Sequence, residues 1–411
     1  RPILTGDTWQ LTAAMVTTRR SCRPYRTASR RQAASLIVVV PEVLLDRRFV
    51  LALCLLTLSS LAACSRQPSE YLLGAVSPQT VAYGIQNQHG IELAIDEINR
   101  AGGINGVPLH LITRDDHGNG SDAATIAGEF VANTKVIAVI GHAGSASEVS
   151  AAPVYDSGHL PALATTASSP DISGISPWIF RMITSDSVNG ATLAHFASSL
   201  ADSLHRPVRV AVLYHNDAYG RGLTDAFLHN FKGEVLSTDP IGTDTNLEPY
   251  ISYFKTHAPD IIFVASDEDL GIKLLRQARA QGLAAKFLGG DGWQGVVGDP
   301  ASEGAFIGTP FTAQSKNEAT QKFVEAFRAR YASVPGAQAA LAYDATRLVA
   351  AALRSGATTR TSVRDYLRSL TRQTAFSSLS GPTWFRGTDP VGDTFRVTRV
   401  HEGLMIPVAA R

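Results

Sequence analysis

The sequence is poor in cysteine and has no excess of either charge. Its 411 residues include three cysteines, Cys22, Cys54 and Cys64, so no disulfide can form among the residues after Cys64. Lys and Arg number 37 and Asp and Glu number 36, a balance that gives no reason to expect a nucleic-acid partner. The sequence also has no G-x-S-x-G elbow and no P-loop. It therefore lacks two common motifs of hydrolytic and nucleotide-dependent enzymes.

The N-terminal region contains the pattern of a secretory signal. Arg47 and Arg48 precede an apolar run over residues 49–63, which is shorter than the roughly 20 residues of a membrane-spanning helix. Leu61-Ala-Ala-Cys64 matches the bacterial lipobox, in which the cysteine thiol is acylated. We expect a signal peptide at 47–63, lipidation at Cys64, a tether at 64–70 and an upstream extension at 1–46. The alternative is a buried apolar helix that happens to end in cysteine.

Beyond residue 70, apolar strand-like runs alternate with helix-like segments. Strands are predicted at 71–77, 107–115, 136–141, 160–165, 208–214, 260–266, 286–289 and 394–400. Helices are predicted at 89–101, 122–134, 145–156, 219–232, 268–281, 317–331 and 337–355. This alternation predicts an α/β protein with two doubly wound lobes, each built on a mostly parallel sheet. Ligands of such sheets bind beyond the carboxyl ends of the strands, so the loops that follow the strands are the candidate site.

Four segments resemble, in the same order, blocks of the periplasmic branched-chain amino acid-binding protein family. They are residues 91–106, Val139-Ile-Gly-His142, Tyr219-Gly-Arg-Gly-Leu223 and residues 275–283. The resemblance covers the chain from about Tyr71 onward. It implies the type I periplasmic binding protein fold, with two lobes joined by a three-crossover hinge that closes on a ligand. The implied lobes are 70–185 with 310–378, and 186–309 with 379–411.

The same resemblance implies a solute-binding protein rather than an enzyme. Such a protein needs no cofactor or metal, works outside the cytoplasm at the periplasm or cell surface, and delivers a small molecule to an ABC transporter permease. Its contact with the membrane would be through the lipid anchor alone. A sensory ligand-binding protein and an envelope interaction protein on the same fold are the alternatives.

Several residues could hold an amino acid. Ser145 opens a helix directly after a strand, where free N–H groups suit a carboxylate, although a plain helix cap is the alternative. By resemblance, Ser145 and Ser168 bind the ligand carboxylate, and Thr166 offers its carbonyl to the ammonium. The resemblance also implies that Tyr219 reaches across the cleft and that Asp291 pairs with the ammonium group.

The pocket for the ligand's side chain departs from the family pattern. Tyr83 fits the aromatic wall of the family, but Asp267 and Glu268 stand where its members have tyrosine, and Trp293 is an addition. A carboxylate in an apolar pocket is costly without a partner, so we expect a polar or basic amino acid, or an amide, rather than leucine. The alternative is that the two acids are solvated at the rim or cap the following helix.

Other chemistries have weaker support in the sequence. The segment Gly118-Asn-Gly-Ser-Asp-Ala123 mimics a dinucleotide fingerprint, but the acidic pair before it would repel a pyrophosphate. The segments at 115–117 and 215–217 contain metal-competent side chains without the spacing of a zinc site. The serine-rich loops have no evident histidine base. These features predict neither a nucleotide site nor a metal site nor a hydrolase.

Overall fold

The computed structural model describes residues 69–242, 244–392 and 394–408. The predicted signal peptide at 47–63, the predicted lipidation site Cys64 and the expected extension at 1–46 lie outside these ranges. No helix within them is long and apolar enough to cross a membrane.

The first lobe is built on five parallel strands in the order β2-β1-β3-β4-β5. The strands are β1 (Tyr71–Val76), β2 (Leu109–Arg114), β3 (Val136–Ile140), β4 (Ala162–Ala164) and β5 (Ile179–Arg181). The helices between them are α1 (Ala82–Arg100), α2 (Gly120–Ala132) and α3 (Ser145–Ser157). In β3, Ile140 belongs to one core cluster and Val139 to another. Both faces of the sheet are covered, which explains why this strand is apolar throughout.

The second lobe is built on seven strands in the order β15-β14-β10-β9-β8-β6-β7. The parallel strands are β6 (Arg209–His215), β7 (Glu234–Ile241), β8 (Ile261–Ala265), β9 (Lys286–Gly289) and β10 (Phe306–Thr309). The helices are α4 (Asp186–Ser199), α5 (Ala201–Leu204), α6 (Ala218–Asn230), α7 (Glu248–His257) and α8 (Glu268–Ala280). Short 3-10 segments follow at Asp291–Gly298 and Pro300–Ser302. The predicted doubly wound architecture of both lobes is confirmed.

The second-lobe elements that the sequence patterns did not predict include α4, β7 and α7. α4 is rich in small residues and has no apolar stripe, β7 is an edge strand with mostly exposed or half-buried side chains, and α7 buries only Ile251 and Phe254. Each has too few large buried side chains to produce a clear period of 2 or 3.6 residues.

The C-terminal part of the chain serves both lobes. Helices α9 (Glu318–Tyr331), α10 (Ala337–Arg354) and α11 (Arg360–Ser369) pack on the first sheet. So does a three-stranded antiparallel sheet of β11 (Phe376–Ser378), β12 (Gly381–Arg386) and β13 (Asp389–Val391). Strands β14 (Arg396–His401) and β15 (Leu404–Pro407) then complete the second sheet as antiparallel strands.

The chain crosses between the lobes three times, after β5, after β10 and after β13. The rings of Phe180 in β5 and Phe385 in β12 lie 5.1 Å apart, and both belong to the first lobe's core. Arg181 and Asp389 form an ion pair beside them. The third crossing therefore comes after Val391, later along the chain than the boundary expected at residue 378.

Candidate functional site

A cavity of about 250 Å³ lies between the two lobes, at the carboxyl ends of the parallel strands. The first lobe lines it with Pro78, Val81, Tyr83, His117, Gly118, Ala143, Gly144, Ser145, Ala146, Thr166 and Gln338. The second lobe lines it with His215, Asp217, Tyr219, Asp267, Asp291 and Gly292. A larger cavity of about 460 Å³ lies elsewhere, beside Pro170 and α6, and receives none of the predicted site residues. The interlobe cavity is thus the candidate site.

The structure brings six of the nine predicted ligand residues to this cavity. Those six are Tyr83, Ser145, Thr166, Tyr219, Asp267 and Asp291. The other three, Ser168, Glu268 and Trp293, do not line it.

The first-lobe wall is built around the start of α3. Gly144 is the N-cap residue of α3 and has no side chain to cap the helix. The first N–H groups of α3 therefore receive no side-chain cap, and Gly144, Ser145 and Ala146 line the cavity. The Ser145 hydroxyl oxygen accepts hydrogen bonds from the N–H groups of Ser168 and Ser169, both at 3.1 Å. The Ser145 hydroxyl can still donate its own proton. A helix start with a free hydroxyl donor suits a carboxylate group.

Ser168 lies behind this wall and is fully buried. Its hydroxyl donates to Asp186 Oδ2 at 3.0 Å, and its carbonyl accepts the Asp186 N–H at 2.8 Å. The buried Arg181 guanidinium donates to the carbonyls of Ser168 and Ser169, at 3.1 and 2.9 Å. The hydroxyl assigned to the ligand by resemblance is thus already bonded to Asp186. Sequence reasoning missed Asp186 and Arg181, which lie at the start of α4 and at the end of β5.

On the second-lobe wall, Tyr219 and Asp291 form a polar pair. The Tyr219 hydroxyl donates to Asp291 Oδ1 at 3.3 Å and accepts the Gly292 N–H at 3.1 Å. Burial raises the pKa of Asp291 to about 6. Burial, and secondarily repulsion from Asp291, raises the pKa of Asp186 well above its usual value. An ammonium group placed here would offset the cost of burying these carboxylates.

Two further acids of the second lobe line the cavity and also begin helices. Asp267 Oδ1 accepts the Leu270 N–H at 3.0 Å and so caps α8. Asp217 Oδ1 accepts the Gly220 N–H at 2.8 Å and caps α6. The hydrogen bond from His215 to Asp217 raises the pKa of that histidine. Among the described residues, no Lys or Arg lines the cavity, so its second-lobe wall is acidic.

The remaining two predicted residues have other roles. Trp293 is fully buried in the second lobe's core, where its ring covers Gly289 and its Nε1 donates to Ser266 Oγ at 3.1 Å. Glu268 is 5% exposed, its carboxylate lies against Gly295 and near Tyr83, and its Oε1 is buried without a hydrogen-bond partner among the described residues. Asp267 and Glu268 were expected either to line the side-chain pocket or to cap the following helix. Asp267 does both, since it lines the cavity and caps α8, whereas Glu268 does not line the cavity.

A buried polar network lies directly behind the first-lobe wall. His142 Nδ1 lies 2.7 Å from Asp116 Oδ2, and its Nε2 lies 3.1 Å from the Tyr155 hydroxyl. The His142 N–H donates to Glu148 Oε2 at 2.8 Å. Burial raises the pKa of Glu148 to about 7. Sequence reasoning missed this network because Asp116 follows β2, 26 residues before its partner His142, which follows β3. Within the described ranges, no group of three or more His, Cys, Asp or Glu residues is arranged to hold a metal ion.

Comparison with known proteins gives a consistent result. Residues 72–403 match the family model described as periplasmic binding protein. The chain is 28% identical over 340 residues to the leucine-, isoleucine-, valine-, threonine-, and alanine-binding protein of Pseudomonas aeruginosa, covering 78% of this chain and 86% of that one. It is 26% identical over 361 residues to the Leu/Ile/Val-binding protein of Escherichia coli, covering 86% and 96%.

Solved structures show the same likeness. An ABC transporter substrate-binding protein from Desulfitobacterium hafniense in complex with Leu is 28% identical, with a TM-score of 0.71, covering 82% of this chain and 100% of that one. A branched-chain amino acid transporter substrate-binding protein from Streptococcus pneumoniae in complex with isoleucine is 25% identical, with a TM-score of 0.75, covering 82% and 97%.

Proposed function

The chain belongs to the periplasmic binding protein family, and from this premise we propose that it binds an amino acid between its lobes and delivers it to an ABC transporter permease. Its relatives are solute-binding proteins, not enzymes. The protein would work outside the cytoplasm, where such receptors meet their ligands.

One observation carries this proposal: the same cavity contains a helix start and a buried acid. The start of α3 with Ser145 offers N–H and O–H donors to a carboxylate. Asp291 and its hydrogen-bonded partner Tyr219 offer a negative charge to an ammonium group. These two features match the two charged groups that all α-amino acids share.

For the side chain of the ligand, we infer a polar or basic group, or a related amide. Asp267 and Asp217 both line the cavity, and each caps a helix through its Oδ1. The capping bond of Asp267 leaves its second carboxylate oxygen available. A guanidinium, ammonium or amide group could donate to the remaining oxygen. An aliphatic side chain would remove water from these acids without replacing its hydrogen bonds.

The second candidate is a branched-chain amino acid. Two observations favour it. The relatives are binding proteins for leucine, isoleucine and valine, and two similar structures contain leucine or isoleucine. On this alternative, the two acids serve only as helix caps and stay hydrated at the cavity rim.

Isothermal titration of ligand-free protein with arginine, glutamine and leucine separates the two candidates. Binding of arginine or glutamine at least tenfold tighter than leucine would support the acidic pocket. Tighter leucine binding would reject the acidic pocket and keep the receptor. If none of these three bound, the remaining proteinogenic amino acids would be titrated in turn, and binding by none of them would reject the amino-acid proposal itself.

We propose further that Cys64 carries a lipid anchor, on the evidence of the Leu61-Ala-Ala-Cys64 motif. Cells fed an alkyne fatty acid should label the wild-type protein and not the Cys64→Ser variant. Equal labelling of both proteins would disprove the anchor.

A further inference from the structure

Besides α3, two helices of the first lobe begin without a side-chain cap from their own N-cap residues. α1 follows Val81 and α10 follows Gly336, and neither residue provides a capping hydrogen bond. The first N–H groups of a helix have no partner inside the helix, so a buried start needs an acceptor from elsewhere. Ala337, the first residue of α10, is 1% exposed, so water cannot readily supply that acceptor.

The acceptor for α10 comes from the other lobe. Gln294 lies in the 3-10 segment Asp291–Gly298 of the second lobe, and its Oε1 accepts the Ala337 N–H at 2.7 Å. Gln294 is 6% exposed. Its Nε2 is buried without a hydrogen-bond partner among the described residues. Among the described residues, the hydrogen bond to α10 is therefore the polar contact that offsets the cost of burying the Gln294 amide.

The start of α1 also lies beside a second-lobe side chain. Glu268 begins α8 and is 5% exposed, and its carboxylate lies against Gly295 and near the Tyr83 N–H, with Oε1 unpaired among the described residues. Tyr83 is the second residue of α1, so the carboxylate lies at the positive end of that helix. Gly295, which the Glu268 carboxylate lies against, directly follows Gln294 in sequence. Glu268 and Gln294 thus form one contact region at the junction of the lobes.

We propose that, across the cleft, Gln294 caps α10 and the Glu268 carboxylate stabilises the positive start of α1, in each case only when the two lobes are closed. Opening the lobes would leave both helix starts without these partners. Each contact of this kind changes the equilibrium between the open and closed forms by between roughly twofold and thirtyfold. Together they favour closure in the empty protein and slow the release of a bound ligand. The proposal requires lobe closure but no particular ligand, so it does not depend on the amino-acid assignment.

Hydrogen exchange of the full chain without ligand tests the proposal directly, because the Ala337 N–H donates to Gln294 and the Tyr83 N–H lies at the helix start near Glu268. Mass spectrometry would follow peptides covering residues 81–86 and 336–341. In Gln294→Ala and in Glu268→Ala, we expect exchange to accelerate roughly fivefold or more in both peptides. Both should respond to either variant because one closure forms both contacts.

Matched controls lie on the same lobe, away from the junction. Gln281→Ala removes a half-buried glutamine that bonds to Glu248, and Glu303→Ala removes an exposed acid that bonds to His401. Neither should alter exchange in the two peptides. Gln294→Glu keeps an acceptor oxygen and should retain most of the protection. It also serves as the folded comparison if the alanine variant unfolds.

Unchanged exchange in both peptides would overturn the proposal. So would acceleration confined to the peptide that the substituted residue itself contacts, because the two caps would then act locally and not through closure. In the same variants, a ligand that binds should dissociate faster with little change in its association rate.

Discussion

Replacing Asp291 by asparagine should weaken ligand binding and, at the same time, stabilise the empty protein. The carboxylate is 6% exposed and accepts a hydrogen bond from Tyr219 at 3.3 Å. Truncating one partner of a buried, hydrogen-bonded charge pair costs about 2–5 kcal/mol. For a ligand held through its ammonium group, this corresponds to a loss of roughly 30-fold to several thousandfold in affinity.

The stability of the empty protein should change in the opposite direction. Without a ligand, Asp291 is a buried acid that repels Asp186, and burial raises its pKa to about 6. Asparagine has nearly the same shape, carries no charge and can still accept a hydrogen bond from Tyr219. We therefore expect a melting temperature equal to or a few degrees above that of the wild type at pH 8.

Titration calorimetry and thermal denaturation without ligand measure the two effects. Asp225→Asn, on the exposed face of α6 in the same lobe, is the matched control and should leave both values unchanged. An unchanged dissociation constant in Asp291→Asn would remove Asp291 from the ammonium site. A large loss of both affinity and stability would instead show that Asp291 mainly supports the fold.

Three more predictions follow from the same site. Because burial raises the pKa of Asp291 to about 6 in the empty protein, affinity for an ammonium ligand should increase as the pH rises from 5 to 8, and calorimetry should find this dependence lost in Asp291→Asn. Asp267→Asn keeps the cap of α8, so competition titrations should show arginine binding weakened by about tenfold and leucine binding unchanged or improved; equal effects on both ligands would contradict an acidic pocket. Glu148 has a folded-state pKa of about 7, above its unfolded value, so its contribution to stability is present at pH 4 and is lost as the pH rises through 7. Glu148→Gln should therefore reduce the fall in melting temperature between pH 5 and pH 8 by about 1–3 °C, and scanning calorimetry showing an identical fall would refute this assignment.

The residues that sequence reasoning could place are those whose roles are local. Ser145 follows a strand and opens a helix, and Asp291 follows the strand β9, so the general rule for parallel sheets brings both to the cleft. The alternation of apolar strands and helices likewise predicts both sheets, because each strand is covered on two faces.

The residues that it misplaced depend on the geometry of distant segments. Trp293 follows a strand end, but its ring turns into the core because Gly289 and Gly271 leave space there. Glu268 stands next to Asp267 in sequence, yet its carboxylate lies near the start of α1 in the other lobe. The contact of Asp186 with Ser168 depends on the loop after β4 packing against the start of α4. No local pattern of periodicity or spacing encodes such contacts.

The double use of Asp217 and Asp267 restricts how this cleft can be adapted to new ligands. Each side chain faces the cavity and also begins a helix, so a change of specificity at either position also alters the stability of the second lobe. Libraries that aim at new sensors should restrict both positions to Asp, Asn, Ser and Thr, the residues that can still cap a helix. Larger substitutions are better tolerated at Val81 and Gln338, which line the cavity and whose side chains form no helix-capping hydrogen bond.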